Sequence, residues 1–549
     1  MKLMQEVSKE KLRGGFYTPE PIARFILKWG LNGGSNYDIL EPSCGDGVFI
    51  KCLKANNYKH VVAIEKDSTE ARKASSIKLP NTTILNDDFH TYCNSTEERF
   101  NLVVGNPPYI RYQYFEKKQQ FEADVIFYKA GLKYSKLTNA WVSFIVGSSL
   151  LLKEMGKIGF VIPAEILQVS YAKQLRYFLA HFYNKINIIS FKNLVFPGIQ
   201  QEVLLLLCEK DNSSKHHIEH LEVNDIDDLE KLNVTKLRSP KKKIDFKSNK
   251  WTFYFLEQNE IDFLEKILKQ NQIKRIEDFA KVEVGITTGS NSFFTVPINK
   301  VLEYNLEDFA KPLVGRSVQV PGAIFTKDDL LLNSKIGARS YFLKFPSINK
   351  LNDNDLALQY ISNGEKEGIN KGYKCRIRNE WQIVPSTKIS DALFIRRNNI
   401  FPKLIINEAA AYTTDTMHRV WIKDNVNLKS FVSSYYNSLS LAFTEINGRS
   451  YGGGVLELMP SEVGSILLPY NVKNDSLLPI IDEKLRNKKN IENILNFTNL
   501  KILKQNLGFS ISDIKLLDGI RKKLLERRLT RGKGKNNNHL YSAISNNKN

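Results

Sequence analysis

Apolar and polar positions recur at two different periods over roughly the first 210 residues. Short apolar runs bounded by Gly, Pro, Asn or Asp read as buried strands, and the segments between them repeat their apolar positions at helical spacing. Asp38–Glu41 reads as a strand running into a turn, followed by a helix from Val48 to Asn56. Val61–Glu65, Thr83–Leu85 and Phe100–Val104, the last ending at Gly105, predict three further strands, with a helix starting near Ser68. Trp141–Leu152 predicts a buried helix, Lys157–Ile162 a fifth strand, and Ile186–Phe191 with Glu202–Cys208 a closing pair. This alternation predicts an α/β domain with a doubly wound, mostly parallel, Rossmann-like sheet. In such sheets ligands bind outside the carboxyl ends of the strands.

From about Asp211 to Lys250 the chain turns polar and charged, with the run Lys241-Lys242-Lys243. A domain boundary is expected there. Residues 1–240 then form the first domain. Residues 250–470 are mixed, with short strands, many turn residues and basic aromatic patches, and predict an α+β second domain. Residues 475–549 predict a helical, basic C-terminal region, in which Ile520, Leu524, Leu525 and Leu529 share one face. The Lys/Asn/Ser-rich tail from Arg531 reads as disordered.

Composition narrows the class. With 42% hydrophobic and 25% charged residues, the 549-residue chain is neither a disordered nor a fibrous protein. Lys plus Arg number 79 against 59 Asp plus Glu, a formal net charge of +20 that favours a polyanionic partner, nucleic acid or an anionic membrane. A membrane is the weaker fit, because the longest apolar stretches fall short of the ~20 residues needed to span one. The N-terminus carries no apolar secretory core. Five scattered cysteines predict a reducing cytoplasm rather than a disulfide framework. No Cys or His spacing predicts a metal site.

Two segments carry chemistry. Leu40-Glu41-Pro42-Ser43-Cys44-Gly45-Asp46-Gly47 is a strand entering a glycine turn, which lets backbone approach a ligand closely. It lacks the full glycine fingerprint of dinucleotide sites. Glu65 ends the next strand, where an acid can bind ribose hydroxyls, and Asp87-Asp88-Phe89 follows the third. Together they suit an adenosine moiety without phosphates. The fourth strand runs into Asn106-Pro107-Pro108-Tyr109. Prolines stiffen the turn and remove backbone donors, leaving carbonyl acceptors beside the Asn106 side-chain carbonyl and an aromatic face. Convergent acceptors next to an aromatic plate fit a planar group bearing an exocyclic amine.

With these motifs in this order, the chain resembles the S-adenosylmethionine-dependent DNA methyltransferases that modify exocyclic amines, specifically the gamma-type, TaqI-like adenine-N6 enzymes of restriction-modification systems. Gly15-Phe16-Tyr17-Thr18-Pro19 looks like their N-terminal cofactor motif. Glu41 to Gly47, with Ser43, Gly45 and Gly47, looks like the glycine turn and Glu65 like the ribose acid. Asp88-Phe89 looks like the pair that holds and stacks the cofactor adenine. Asn106, Pro107 and Tyr109 look like the catalytic motif. Phe196, in Val195-Phe196-Pro197-Gly198, resembles a second aromatic packing on the flipped base.

The resemblance implies S-adenosylmethionine as cofactor, double-stranded DNA as substrate, and a cognate restriction endonuclease as a further partner. Asn106 Oδ1 and the Pro107 carbonyl would accept the two N6 hydrogens and make the amine more nucleophilic. Cys44 is not needed as a nucleophile. The target base would leave the stack and rest on Tyr109 and Phe196. In the second half, Val284–Gly289, Val314–Ser317, Lys374–Arg378 with Trp381, Tyr412–Arg419 and Gly448–Gly454 resemble recognition-domain segments, whose Arg, Thr, Ser and Tyr read phosphates and base edges. Three alternatives stand beside this reading: a methyltransferase for RNA or protein glutamine, an inactive DNA-specificity subunit, and a fusion with a nuclease.

Overall fold

A computed structural model gives the architecture. It describes residues 17–530 other than 33, 35, 54–57, 111–113, 134–137, 197–201, 235–236, 238, 247–249, 352–354, 386 and 452. Gly15-Phe16, the end of the helix predicted to Asn56, Pro197-Gly198, Gly452 and the tail from Arg531 lie outside the described residues. The chain divides into two compact units, one comprising the residues to Phe263 with Tyr451–Gly454 and those from Leu529, the other Leu264–Ser450 with Val455–Arg528.

Among its described residues the first unit is built on nine strands: β1 (Asp38–Glu41), β2 (His60–Ile64), β3 (Thr82–Leu85), β4 (Phe100–Gly105), β5 (Leu152–Pro163), β6 (Lys185–Phe191), β7 (Val203–Glu209), β8 (His217–Val223) and β9 (Lys242–Lys243). Their order in the sheet is β3-β2-β1-β4-β5-β7-β6-β8-β9. The strands β3, β2, β1, β4 and β5 are parallel neighbours, with Ile39 opposite both Val61 and Leu102. The strand β7 runs antiparallel between β5 and β6. Direction of travel reverses around β1 and β4, so a crevice opens at their carboxyl ends.

The strands form because their side chains are apolar on both faces, as a parallel sheet covered by helices requires. Ile39, Leu40, Val61, Ala63, Leu102, Val103 and Val104 are fully buried. On one side α1 (Glu20–Gly30), not singled out from the sequence, places Ile22, Phe25, Ile26 and Trp29 in one core with Phe49, Leu102 and Val104. Next in the chain come α2 (Val48–Leu53), α3 (Ser68–Ser75), α4 (Phe89–Ser95), α5 (Lys117–Lys129), α6 (Ala140–Leu150) and α7 (Lys173–Phe182). Asp67 caps α3, accepting from Thr69 N at 2.9 Å, and Asp88 caps α4, accepting from His90 N at 2.9 Å. Trp141 to Ser149 is buried on every face of α6. The polar stretch from Asp211 to Lys250 carries β8, paired parallel with β6 over seven residues, and β9.

The second unit holds two four-stranded sheets. One joins β10 (Ala280–Val284), β17 (Met417–Ile422), β14 (Ala392–Ile395) and β15 (Leu404–Ile406) in that order, antiparallel throughout. The other joins β11 (Thr295–Val296), β13 (Tyr341–Leu343), β12 (Ala310–Val314) and β16 (Tyr412–Thr413). After them α8 (Leu428–Tyr435) and α9 (Ser438–Asn447) are almost wholly buried, and α10 (Ile511–Thr530) is the last helix among the described residues. Among the described residues no helix is long and apolar enough to cross a membrane, and no group of three or more His, Cys, Asp or Glu is placed to hold a metal ion.

Candidate active site

The carboxyl ends of β1, β2, β3 and β4 open into one cavity of about 760 Å³. Its floor is the turn that links β1 to α2. Gly45 and Gly47 sit at φ +53° and +85°, a region that side chains with a Cβ rarely enter. A Cβ on Gly45 would meet nothing within 4 Å, so the turn is open toward the cavity, whereas one on Gly47 would stand 2.5 Å from Ile77 Cδ1. Glu65, one residue past β2, closes the turn: Oε2 accepts from Gly45 N at 2.9 Å and Oε1 from Asp67 N at 2.8 Å.

Nine of the residues expected at the site line this cavity: Tyr17, Thr18, Glu41, Ser43, Gly45, Glu65, Asp88, Phe89 and Asn106. Thr18 is buried and Tyr17 half exposed at 54%, its hydroxyl donating to Glu70 Oε2 at 3.2 Å. The Ser43 hydroxyl donates to the Asn106 carbonyl at 3.2 Å and so ties the glycine turn to the Asn-Pro-Pro-Tyr segment. Phe89 is buried and stacks on Phe144 of α6, ring centroids 4.8 Å apart.

Four expected residues stand elsewhere. Gly47 shapes the turn from behind, and Pro107, next to Asn106 in the chain, is buried. Tyr109 packs its ring on the apolar core, and its hydroxyl donates to the Val161 carbonyl of β5 at 3.2 Å. Phe196, expected on a flipped base, belongs to that same core and is only 5% exposed. Several lining residues carried no signal in the sequence reading. Phe144 was hidden because α6 is apolar all round and shows no preferred face. Phe115 and Glu116 lie between the Asn-Pro-Pro-Tyr segment and α5, and Gln119 in the first turn of α5, in a stretch with no recognisable pattern.

The electrostatics of the cavity oppose those of the chain. In a protein of net charge +20, the lining holds Glu41, Asp46, Glu65, Asp67, Glu70, Asp87, Asp88 and Glu116 against only Lys66 and Lys73. Burial, then the negative charges of Glu65 and Asp46, push the Glu41 carboxyl well above the usual range. Glu41 is 2% exposed, and its Oε2 has no hydrogen-bond partner among the described residues. Burial works against ionisation of Asp88 too, but the hydrogen bond and charge of His90 and the amide of Gln119 outweigh it and hold that carboxyl far below its ordinary value. The Cys44 thiol is 3% exposed, and burial with the nearby Glu41 and Glu65 carboxylates raises it strongly, which suits a turn residue and not a nucleophile. A small acid-lined crevice with an unpartnered buried carboxylate oxygen is matched to a compact cation, and repels phosphates.

In the second unit several residues expected to read DNA are spent internally. Arg378 Nη2 donates to the Thr288 carbonyl at 2.7 Å, and Arg419, 7% exposed, donates to the Val284 carbonyl at 3.1 Å. Thr413, Thr414 and His418 are buried. Arg316 and Ser317 are exposed on the turn after β12.

Residues 47–196 match the sequence profile of the Eco57I restriction-modification methylase, and residues 248–503 match that of the C-terminal domain of the Type II methyltransferase M.Eco57I. The Type II methyltransferase M.AccI of Acinetobacter calcoaceticus is 26% identical over 465 residues, covering 82% of this chain and 84% of the relative. M.HincII of Haemophilus influenzae is 26% identical over 249 residues, covering 45% of this chain and 44% of the relative. Among solved structures, the type IIG restriction endonuclease BpuSI aligns with 96% of this chain and 68% of its own, at 14% identity and a TM-score of 0.39. With the two profiles meeting most of both units and M.AccI aligning along most of its length, the chain belongs to the Eco57I-type restriction-modification methylases.

Proposed function

We propose that this protein transfers a methyl group from S-adenosylmethionine to the N6 amine of an adenine flipped out of duplex DNA, as the modification component of a restriction-modification system. The observation that carries the reading is the acid-lined cavity beside Asn106 in a strongly basic chain. S-adenosylmethionine has a sulfonium and an ammonium group and no phosphate, which fits that lining and the unpartnered Glu41 Oε2. Thr18, Ser43 and Gly45 would border the cofactor, Glu65 its ribose, and Asp88 and Phe89 its adenine. When bound, the cofactor supplies an electrophilic methyl to a direct displacement.

The chain's own contribution is to the amine. Delocalisation into the ring makes an aminopurine nitrogen a poor nucleophile. Asn106 Oδ1 and the Pro107 carbonyl, fixed by the two prolines, accept its hydrogens and favour the tetrahedral geometry of the transition state over the planar ground state. Stacking on an aromatic face would replace what the extruded base loses, worth about 1–3 kcal/mol; Tyr109, whose ring packs on the apolar core, would have to turn out of it to supply that face. Reaching the amine inside duplex DNA requires that extrusion. Incubating the full chain with duplex DNA and S-adenosylmethionine, followed by nucleoside mass spectrometry, tests the proposal. N6-methyladenine is the expected product; N4-methylcytosine, or transfer to RNA alone, would overturn it.

A further inference from the structure

Asp88 is held more tightly than helix capping requires. An N-cap aspartate needs one side-chain oxygen on one backbone N–H, and Asp88 Oδ1 already accepts from His90 N at 2.9 Å. The same oxygen also lies 3.0 Å from the His90 ring Nδ1. An ionised carboxylate can only accept, so Nδ1 carries the hydrogen of that bond. The ring is 1% exposed and ringed by Phe89, Phe115 and Phe144, with centroids 5.9, 5.6 and 5.0 Å away. Its far nitrogen, Nε2, stands 2.8 Å from the hydroxyl of Ser143, itself buried on α6. A polar ring in an aromatic cage is costly unless both nitrogens are satisfied, and here both are.

The two oxygens of Asp88 thereby take different roles. Oδ1 points to His90. Oδ2 accepts from the Gln119 side-chain nitrogen at 2.6 Å, with Lys66 Nζ at 3.5 Å. Gln119 and Lys66 line the cavity; His90 does not. The Gln119 amide is an N–H donor of the same kind as the amino group of an adenine ring, and it marks Oδ2 as the acceptor turned to the ligand.

We propose that His90 is a positioning residue of the cofactor site: anchored by Ser143, it holds the Asp88 carboxylate by one oxygen and presents the other to the amino edge of the cofactor's adenine. This rests on the reading of Asp88 as a cofactor residue. Besides His90, the charged groups around the carboxylate are Lys66, Asp87, whose Oδ1 accepts from Asp88 N at 2.7 Å, and Glu116, 3.9 Å from Lys66. Without His90, burial of Asp88 is opposed mainly by Gln119 and Lys66, so the carboxyl keeps its proton to higher pH.

Calorimetric titration of S-adenosylmethionine into the full chain between pH 5.5 and 8.5 tests this. His90→Ala should weaken binding about tenfold at neutral pH and bring the acid fall of affinity, whose midpoint in wild type lies below the titrated range, upward into it. His90→Asn places an amide donor near the Nδ1 position and should restore most of the affinity. Ser143→Ala should shift the midpoint in the same direction as His90→Ala. A merely structural His90 lowers the melting temperature and leaves the midpoint in place, and that result would overturn the proposal. If His90→Ala does not fold, an unshifted Ser143→Ala midpoint overturns it equally. Asp88→Ala separates the two levels: cofactor binding as tight as wild type there refutes the role given to Asp88, whereas loss there beside unchanged His90 and Ser143 variants refutes only the proposal.

Discussion

Glu41 pays for its place at the end of β1 in the ligand-free chain. Burial and like charges raise its carboxyl, so above the ordinary carboxylate range the folded chain retains a proton that the unfolded chain has released. The stability of the ligand-free chain therefore falls as pH rises through that window. Glu41→Gln removes the penalty, and its melting temperature at pH 8, by calorimetry without cofactor, should exceed that of wild type. The same substitution removes a charged acceptor worth about 1.5–3 kcal/mol, so S-adenosylmethionine should bind at least roughly tenfold more weakly. A variant that loses neither stability penalty nor affinity would detach Glu41 from the site. Position relative to a strand end made Glu41, Glu65, Asp88 and Asn106 visible in the sequence, because the chemistry of a parallel sheet gathers there. Phe196 shows the limit of that reasoning: an aromatic before a strand is drawn as readily into a core as onto a ligand, and here it is core.

At the scale of elements, strands with apolar residues on both faces were legible almost to the residue, as β1 and β4 show. The strand β8 was not, because its sequence HIEHLEV is half polar and shows no clean alternation of apolar and polar positions. The glycine turn gives a test that separates the two units. In Gly47→Ala a left-handed backbone costs about 1–2 kcal/mol, and the added Cβ would meet Ile77 Cδ1 at 2.5 Å and Ala74 Cα at 3.2 Å. A Cβ on Gly285, after β10, would stand 1.9 Å from the Thr414 backbone carbonyl oxygen, which cannot yield without moving β16 and its neighbours. Gly47→Ala should therefore lose cofactor binding. Gly285→Ala should keep cofactor binding within a few-fold while lowering DNA affinity and stability by about 1–3 kcal/mol or more. Calorimetry with cofactor and a gel-shift titration with duplex DNA on the same preparations check both; equal effects of the two variants on cofactor affinity would contradict the division of labour.

The chain carries a net charge of +20 while its crevice is lined by acids, so an excess of positive charge lies outside the crevice. DNA affinity should fall steeply with salt, with a log–log slope of about −0.9 for each phosphate contacted; a slope shallower than one contact in filter binding would remove DNA as the partner of the excess charge. The C-terminal end can be tested against a specific anchor. Arg528, 2% exposed, pairs with the buried Glu445 at 2.6 Å and donates to the Asn399 carbonyl at 2.8 Å. Ending the chain at Thr530 keeps the pair and should leave melting and methylation unchanged. Arg528→Ala leaves Glu445 buried alone, and denaturant unfolding should show a loss of about 3–5 kcal/mol.

The central claim is that Asn106 accepts a hydrogen of the attacking amine, and single-turnover methyl transfer by Asn106→Ala measures it most directly. The turn keeps Pro107, Pro108 and Tyr109, and the cavity keeps its acids, so cofactor and DNA should bind within a few-fold of wild type. The rate of transfer to adenine should fall by a factor of about 100–1000 or more, the cost of about 2.7–4 kcal/mol for losing one preorganised group at a transition state. Transfer at a rate near wild type, with both ligands saturating, would contradict the account and reduce the Asn-Pro-Pro-Tyr segment to a rigid turn.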